Sequence, residues 1–327
     1  MKIFITGATG FIGRHLVELL ARSGHELVAL ARPTSDASRL QKQGVTLVTG
    51  DVNNRESLRS GMRGCAGLVN LANVYSFWEP DNHIYEEVNV RGTRNVMECA
   101  LEAGVAKVVH VSSVVVYGKP EQIPFSEESP VGPRRFSRYA RSKYAGDLIA
   151  WDLMKSKGLP LVMVYPAPVL GPGNPIAKGP YIKNLLEGRM PATVFPASLL
   201  TLVHVRDVAA IIAGALAKKG NFGEKYFACN QALSFAEINA LVRDIAGVSL
   251  PKLTLPSWLV MANASLLTAV SRLSKKPPPW GMSLDQMATC RAGLEADGSK
   301  AAKELGIVYT PIRTAMEEEI AYYQGKG

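Results

Sequence analysis

Tyr139 and Lys143 stand four residues apart in a stretch whose pattern predicts a helix over residues 137–157. In a helix this spacing places both side chains on one face. A free tyrosine has a pKa of about 10, which is too high for efficient proton transfer at neutral pH. A neighbouring ammonium stabilises the phenolate and lowers that pKa. The pair therefore predicts a phenol that exchanges a proton with the oxygen of a carbonyl or an alcohol.

Two serines, Ser112 and Ser113, come at the end of a strand predicted over residues 107–112. The carboxyl ends of parallel strands form the edge at which α/β sheets bind ligands. A serine hydroxyl at this edge can hydrogen-bond the substrate oxygen beside Tyr139. The alternative is that these hydroxyls only cap the turn that follows the strand.

Three glycines, Gly7, Gly10 and Gly13, follow the first predicted strand with the spacing G-x-x-G-x-x-G. Gly7 permits a tight turn, Gly10 lets the backbone approach a pyrophosphate, and Gly13 lets helix and strand pack closely. The N-terminus of the next helix offers N–H donors and a positive dipole end to the phosphates. The motif predicts a dinucleotide site, and the alternative is a flexible turn.

Arg32 comes directly after the second predicted strand. In dinucleotide-binding folds a carboxylate at this place binds the ribose 2′-OH of NAD, whereas an arginine accommodates the 2′-phosphate of NADP. Asp36 comes too late to be the usual carboxylate. The sequence therefore predicts NADP(H) in preference to NAD, the alternative being an exposed surface arginine.

The elements that position these residues are short apolar runs alternating with helical stretches. This pattern is typical of a parallel sheet with both faces covered, and right-handed crossovers then give a doubly wound α/β Rossmann fold. The predicted strands are 2–6, 26–31, 45–49, 67–71, 107–112 and 161–165, and the predicted helices among them are 12–22, 82–103 and 137–157.

After residue 165 short apolar runs no longer alternate regularly with helical stretches. Residues 166–180 are rich in proline and glycine and predict a loop or lid, whereas 200–205 and 206–217 predict a strand and a helix that return to the sheet. We expect a dinucleotide-binding core over 1–170, its sheet completed by 200–230, and a smaller, mostly helical substrate lobe over 171–327. The helices predicted for this lobe are 234–246, 257–274, 298–305 and 311–324.

Helix 257–274 is apolar over most of its circumference and is followed by Lys275 and Lys276. We expect it to be a buried helix of the C-terminal lobe. The alternatives are a helix that lines an apolar substrate cleft and a helix that touches a membrane surface.

Composition limits the classes of partner. The 327 residues carry 37 Lys+Arg and 28 Asp+Glu, a formal charge of +9, and 47% of them are hydrophobic. No apolar run is long enough to span a membrane, and the first residues reach glycines too soon for a signal peptide. The four cysteines are widely separated, which predicts neither a disulfide framework nor a metal site. We expect a cytoplasmic protein that binds a small molecule and, because its basic residues form no stripe, no nucleic acid.

Several segments together resemble the extended short-chain dehydrogenase/reductase family, also called the NAD-dependent epimerase/dehydratase family. They are TGATGFIG at the start, Asp51 after the third strand, VSSVVVYG, Tyr139-x-x-x-Lys143 and HVRDVA at 204–209. The resemblance implies a Rossmann sheet of about seven strands, a C-terminal substrate lobe and a homodimer. It also implies that Ser113, rather than Ser112, is the catalytic serine beside Tyr139 and Lys143, and that Asn89 supports the site.

The glycine loop and the resemblance together define the expected cofactor contacts. By the resemblance Asp51 and Val52 lie beside the adenine, Lys143 holds the nicotinamide ribose and Pro166 borders the nicotinamide. The full expected set is Gly7, Thr9, Gly10, Phe11, Ile12, Gly13, Arg32, Asp51, Val52, Leu71, Ala72, Tyr139, Lys143 and Pro166.

Two departures from the family pattern bear on the substrate. The segment after the fourth strand is Asn70-Leu71-Ala72-Asn73 instead of the common His-Leu-Ala-Ala, and Leu200 stands where nucleotide-sugar members carry a diphosphate-binding arginine. The chain is therefore most similar to dihydroflavonol reductases and 3β-hydroxysteroid dehydrogenases. The segments ARPTSD and NVYSFWEPD also look like bacterial proteins called hopanoid-associated sugar epimerases.

The sequence predicts an NADP(H)-dependent oxidoreductase that reduces a ketone or aldehyde, or oxidises the alcohol, of a small apolar substrate. One alternative is a nucleotide-sugar epimerase or dehydratase that retains NAD, and another is a non-catalytic regulator or assembly subunit. The aromatic residues predicted as candidate substrate contacts are Phe77, Trp78, Tyr181 and Trp258.

Overall fold

Seven parallel strands form the main sheet of residues 1–174 and 181–325, the part of the chain that the computed structural model describes. A second sheet has three strands. Numbered along the chain, the strands are β1 Lys2–Thr6, β2 Glu26–Ala31, β3 Thr46–Thr49, β4 Gly67–Asn70, β5 Lys107–Val111, β6 Leu161–Pro166, β7 Val169–Leu170, β8 Leu199–His204, β9 Lys225–Ala228 and β10 Gln231–Ser234.

The helices surround the main sheet and build the lobe beside it. The α-helices are α1 Phe11–Arg22, α2 Ser38–Lys42, α3 Arg55–Met62, α4 Thr93–Glu102, α5 Arg138–Lys157, α6 Tyr181–Leu186, α7 Val205–Ala217, α8 Phe235–Ala246, α9 Ser257–Ser274, α10 Leu284–Ala292, α11 Ser299–Leu305 and α12 Ile312–Tyr323; a π-helix spans Tyr85–Gly92, and 3-10 turns span Val114–Tyr117 and Pro279–Gly281.

The strand order of the main sheet is β3-β2-β1-β4-β5-β6-β9. The chain therefore moves outward from β1 in one direction and then returns to place β4 on its other side. The central strands β4 and β6 are buried along their whole length, as expected where helices cover both faces. This confirms the predicted Rossmann fold. Ligands of such sheets bind outside the carboxyl ends of the strands where the order reverses, here at β1 and β4.

Three expectations about individual elements are wrong. Residues 82–103 are not one α-helix, because a π-helix precedes α4; amphipathic spacing does not reveal a local change of pitch. The strand predicted over 200–205 does not return to the main sheet, since β8 pairs with β7 and β10 and the edge position belongs to β9. A short apolar run predicts a buried strand but does not predict which strand it pairs with.

The third error concerns α9. It is a helix as predicted, but large apolar side chains on it are exposed, among them Leu266 and Leu273. The expectation of a buried helix is therefore wrong. Within residues 1–174 and 181–325 no helix has the length and hydropathy needed to cross a membrane. The predicted loop or lid over 166–180 lies partly outside the described residues, which omit 175–180.

Gly146 lets α5 approach the π-helix closely. A Cβ at this position would lie 2.5 Å from the carbonyl oxygen of Asn89, so that only glycine fits at the observed separation. Ser137 begins α5 by accepting a hydrogen bond from the backbone N–H of Ala140 at 3.1 Å. The cap and the glycine together set where α5 starts and how near it lies to the π-helix.

We predict that Gly146→Ala lowers the free energy of unfolding by about 1–3 kcal/mol, because the methyl group forces α5 away from the π-helix. Gly214→Ala in α7 is the matched control, since its Cβ would meet Leu305 at 3.4 Å, an ordinary contact. The free energy of unfolding of the control should be unchanged or higher by up to about 1 kcal/mol, because alanine has a higher helix propensity than glycine. Urea denaturation measures both, and equal effects in the two variants would contradict the close packing at Gly146.

Candidate active site

Lys143 is buried at the carboxyl edge of the sheet. Its Nζ donates a 2.9 Å hydrogen bond to the carbonyl oxygen of Val111, the last residue of β5. Burial lowers the pKa of Lys143 to about 8, and the negative charge of Asp147, one turn later on α5, opposes that shift. A carbonyl dipole and a carboxylate thus surround the ammonium in a place that water hardly reaches.

Tyr139 lies one turn before Lys143 and is also buried, with 3% of its surface exposed. Burial raises the pKa of Tyr139 above its ordinary value, and a hydrogen bond with the side chain of Ser113 offsets only part of the rise. The predicted lowering of this pKa is therefore wrong for the structure described here. Loss of water around the phenol is the largest cause of the rise, and the Nζ of Lys143 is bonded to Val111. Tyr139 is a protonated phenol at neutral pH.

The two serines after β5 have different partners. Ser113 caps the 3-10 turn that follows, its Oγ donates to the carbonyl oxygen of Pro166 at 3.4 Å, and its side chain lies beside Tyr139. The hydroxyl of Ser112 instead donates to Asp147 at 2.7 Å. The structure therefore brings Ser113, and not Ser112, to the phenol.

A chain of buried polar side chains runs behind the site, from β1 to α5. The hydroxyl of Thr6 donates to Oδ1 of Asn70 at 2.5 Å, and Nδ2 of Asn70 lies 3.0 Å from Nδ1 of His110. Nε2 of His110 is then 3.5 Å from a carboxylate oxygen of Asp147. Burial lowers the pKa of His110, and the nearby Lys143 lowers it further, so that this histidine is neutral. Sequence spacing does not reveal this series of contacts.

Asn89 joins the π-helix to two neighbouring segments. Its Oδ1 accepts from the backbone N–H of Val74 at 2.8 Å, and its Nδ2 donates to Ser142 on α5 at 2.9 Å. The supporting position expected for Asn89 is therefore what the structure shows. π-helical turns are frequent at functional sites, and here the turn places Asn89 between the Val74 segment and α5.

Two aromatic rings lie against Tyr139. The ring of Tyr75 is 5.1 Å from it and that of Phe77 is 5.9 Å away, both centroid to centroid and edge to face. Phe77 thus lies beside the phenol, and its contact with a substrate stays a prediction. Tyr75 was missed, although it stands only two residues earlier in the same segment. Tyr181 packs on Phe235 in the lobe instead. The surroundings of Tyr139 on this side are apolar.

The remaining aromatic candidates lie elsewhere. Trp258 is exposed on α9. The backbone carbonyl of Trp78 accepts a 2.7 Å hydrogen bond from the hydroxyl of Ser76. His204 caps α7 by accepting a hydrogen bond from the backbone N–H of Arg206.

The glycine loop closes tightly between β1 and α1. Gly7 has a φ of +71°, and a Cβ there would meet the backbone of Leu71 and Ala72 at 2.8 Å. A Cβ on Gly13 would lie 2.3 Å from the carbonyl oxygen of Gly7. Gly10, by contrast, is exposed at the start of α1, which has no side-chain cap. The first N–H groups of an α-helix lack partners within the helix, so this terminus offers donors to an anionic ligand.

A cleft beside this loop contains three arginines. Arg14, Arg32 and Arg39 line it with hydroxyl-bearing residues and one carboxylate. Arg39 pairs with Glu18 at 3.3 Å, whereas the guanidinium of Arg32 has no hydrogen bond or ion pair with any other described residue. The other lining residues are Thr9, Thr34, Ser35 and Asp36.

The other residues expected to bind the cofactor lie at the ends of neighbouring strands. Val52 is buried just after β3, and Ala72 donates its N–H to the Thr6 hydroxyl at 3.1 Å just after β4. Pro166 ends β6. Three features thus share one edge of the sheet, namely the glycine loop, the uncapped N-terminus of α1 and the buried ammonium of Lys143. This arrangement fits a dinucleotide. The contacts of Thr9, Phe11, Ile12, Asp51, Val52, Leu71, Ala72 and Pro166 with a cofactor stay predictions.

The model of the NAD-dependent epimerase/dehydratase family matches residues 3–228. The chain belongs to this family. It is an enzyme of the extended short-chain dehydrogenase/reductase type, as the resemblance implied. A Synechocystis sp. protein that carries the name dihydroflavonol 4-reductase is 33% identical over 99% of this chain and 95% of its own. Sterol demethylase protein B of Methylococcus capsulatus is 30% identical over 100% of this chain and 99% of its own.

Two solved structures have a similar fold. The crystal structure of gox2253 has a TM-score of 0.85 and 33% identity, and covers 99% of this chain and 98% of its own. A Bacillus cereus UDP-glucuronic acid 4-epimerase, solved with UDP-glucuronic acid and NAD, has a TM-score of 0.78 at 23% identity and covers 99% of both chains. The second likeness concerns the fold alone.

We predict that stability depends on pH through Lys143. The pKa of Lys143 is about 8 in the folded chain and near 10.5 for an ordinary lysine. Between these values the unfolded chain binds more protons, and stability therefore rises with pH. Relative to Lys143→Met, which lacks the titrating group, the wild type should gain about 2 kcal/mol between pH values of about 7 and 10. Urea denaturation across this range measures the difference.

A constant difference between wild type and Lys143→Met over that pH range would contradict a buried ammonium at this position. Lys155→Met, an exposed lysine at the end of the same helix, is the control and should show no such slope.

Proposed function

We propose that this enzyme reduces a ketone or aldehyde of a small apolar substrate with NADPH. The observation that carries the proposal is the position of Tyr139, a buried phenol beside Ser113 and one turn before the ammonium of Lys143 on α5. In reduction the phenol gives its proton to the carbonyl oxygen. The same groups acting in reverse would take a proton from an alcohol as it is oxidised.

Each residue of the site has a distinct part in this reaction. NADPH, when bound, supplies a hydride to the carbonyl carbon. The Ser113 hydroxyl donates a hydrogen bond that orients the carbonyl oxygen, and Tyr139 gives its proton to that oxygen. The phenolate left on Tyr139 is stabilised by the ammonium of Lys143, one turn away on α5. By the resemblance Lys143 also holds the nicotinamide ribose.

The rings of Tyr75 and Phe77 support an apolar substrate. They lie against Tyr139, where the group that carries the carbonyl would be bound, and aromatic rings bind apolar surface well. Two relatives carry names that fit such substrates, a dihydroflavonol reductase and a sterol demethylase protein.

Arg32 supports NADP(H) over NAD. Its guanidinium lies in the cleft beside the glycine loop and has no partner among residues 1–174 and 181–325, so it is available for a 2′-phosphate. A planar guanidinium pairs well with phosphate oxygens. The homodimer and the cytoplasmic location expected from the sequence stay predictions.

Leu200 weighs against the alternative of a nucleotide-sugar epimerase. It pairs with Leu233 in β10 and bridges to Leu294, where an apolar side chain packs and cannot bind a diphosphate. Tightly bound NAD in the purified protein would favour the epimerase instead.

We predict that purified protein oxidises NADPH in the presence of apolar ketones or aldehydes and that Tyr139→Phe lowers kcat by about 100-fold or more, because the general acid is lost. Tyr144→Phe is the control. Tyr144 is on the same helix but stacks under Arg135, at 3.7 Å from its guanidinium carbon to the ring centroid, and its variant should keep wild-type activity. Equal activity of Tyr139→Phe and wild type would remove Tyr139 from the mechanism.

We predict that Arg32→Gln raises the KM for NADPH by about tenfold or more and leaves the KM for NADH unchanged, since only the 2′-phosphate loses a charged partner. Arg22→Gln, on an exposed arginine that ends α1, should change neither value. Steady-state kinetics with both nucleotides measures the ratio. A parallel rise in both KM values would place Arg32 outside the phosphate site.

A further inference from the structure

Helix α9 turns its large apolar side chains outward. The exposed fraction is 71% for Trp258, 63% for Leu266 and 88% for Leu273. The residues that α9 buries fully are small or polar, and Met261 and Leu267 are partly buried beside them. The fully buried residues are Val260, Ala264, Thr268 and Ser271. A surface helix of a globular protein normally has the opposite arrangement, with its apolar stripe facing the core. The outward face of α9 is therefore built to be covered by something else.

The exposed apolar residues form one continuous stripe. At about 100° per residue, their positions fall within roughly a third of the circumference. No charged residue interrupts the stripe between its first and last members; Arg272 flanks it. The stripe consists of Trp258, Leu259, Ala262, Leu266, Ala269, Val270 and Leu273, all exposed.

The charge around the stripe has a single sign. Residues 245–284 contain no aspartate or glutamate, although the whole chain carries 28 of them. The same forty positions include four basic residues, of which Lys275 and Lys276 directly follow α9 and are exposed. A second tryptophan, Trp280, is 45% exposed just beyond them. Basic residues and tryptophans beside an apolar face are the features of helices that lie in a membrane interface.

We propose that α9 docks this enzyme on the surface of a bilayer containing anionic phospholipid. The apolar stripe enters the boundary between headgroups and acyl chains, while Arg272, Lys275 and Lys276 contact the phosphates. The inference concerns an interaction surface and stands independently of the substrate and cofactor proposed above.

Charge favours a membrane over a second copy of the chain. Two copies of α9 packed face to face would bring the two sets of cations together with no acidic partner on either segment, and like charges at an interface disfavour association. An anionic leaflet supplies negative charge for the cations and an apolar phase for the stripe.

The contacts that hold α9 keep the face outward. The backbone N–H of Leu284 in α10 donates to Thr268 at 2.8 Å on the buried side of α9. α10 is itself tied to the catalytic helix, since Asp285 accepts from the backbone N–H of Arg138 at 2.7 Å. The docking face therefore belongs to the rigid framework of the active site and not to a detached segment.

The test is sedimentation of the full-length protein with vesicles of phosphatidylcholine alone or of equal parts phosphatidylcholine and phosphatidylglycerol. We expect binding to the mixed vesicles only, and weaker binding at high salt. Leu266→Gln/Leu273→Gln should weaken binding by roughly tenfold or more. Lys275→Gln/Lys276→Gln should weaken it by roughly twentyfold, the effect of two cations near an anionic leaflet.

Matched controls come from exposed positions away from α9. Val308→Gln alters an apolar residue that is 90% exposed, and Lys155→Gln/Lys157→Gln removes two exposed lysines at the end of α5. Both should bind as the wild type does. In addition, mixed vesicles should shift the tryptophan fluorescence of the wild type to shorter wavelength, and Trp258→Phe should lose most of that shift.

Two results would overturn the proposal. One is wild-type protein that binds neither vesicle, or binds both equally. The other is a wild-type oligomer, seen by analytical ultracentrifugation, that dissociates in Leu266→Gln/Leu273→Gln, since a second copy would then cover the face.

Discussion

The site depends on an ammonium held inside the protein. Lys143 has only 1% of its surface exposed, and an unpaired charge in such a place is costly. The Val111 carbonyl and the charge of Asp147 offset that cost in part, but both act only while α5 lies close to the end of β5. Gly146, on the turn between Lys143 and Asp147, lets the same helix pack closely against the backbone of Asn89 in the π-helix.

A series of buried polar side chains, from Thr6 to Asp147, runs from the glycine loop to the catalytic helix α5. Thr6, the last residue of β1, immediately precedes the glycine loop, and its hydroxyl both donates to Asn70 and accepts from Ala72. Through His110 the chain reaches Asp147 on α5. The hydrogen bonds from Thr6 through Asn70 to His110 link the end of β1 to β4 and β5. The last step is a 3.5 Å contact between His110 Nε2 and Asp147 Oδ1, and neither atom has a hydrogen-bond partner among the described residues.

The sequence predicted those features that depend on local spacing. The apolar runs of the central strands, the glycines at 7, 10 and 13 and the Tyr139–Lys143 pair each have a period or an interval that can be recognised without the fold. Features that depend on distant partners could not be found in this way. β8 has the composition of a main-sheet strand but pairs elsewhere, and the Thr6–Asn70–His110–Asp147 chain joins residues from four elements.

Two errors have a common physical origin. A tyrosine four residues from a lysine suggests a lowered pKa, but the sequence does not reveal that the phenol is buried or that the ammonium is bonded to Val111. Helix 257–274 has enough apolar residues to be a core helix, but hydropathy does not reveal which side faces the lobe. In both cases burial decides the outcome, and burial is a property of the whole fold.

The most direct test of the account is a crystal structure of the protein with NADP⁺. The account predicts pyrophosphate at the N-terminus of α1, the 2′-phosphate at Arg32, and the nicotinamide end beside Lys143, with the Tyr139 hydroxyl facing the ring. A nucleotide bound away from Lys143, or a Tyr139 hydroxyl directed away from the nicotinamide, would contradict it.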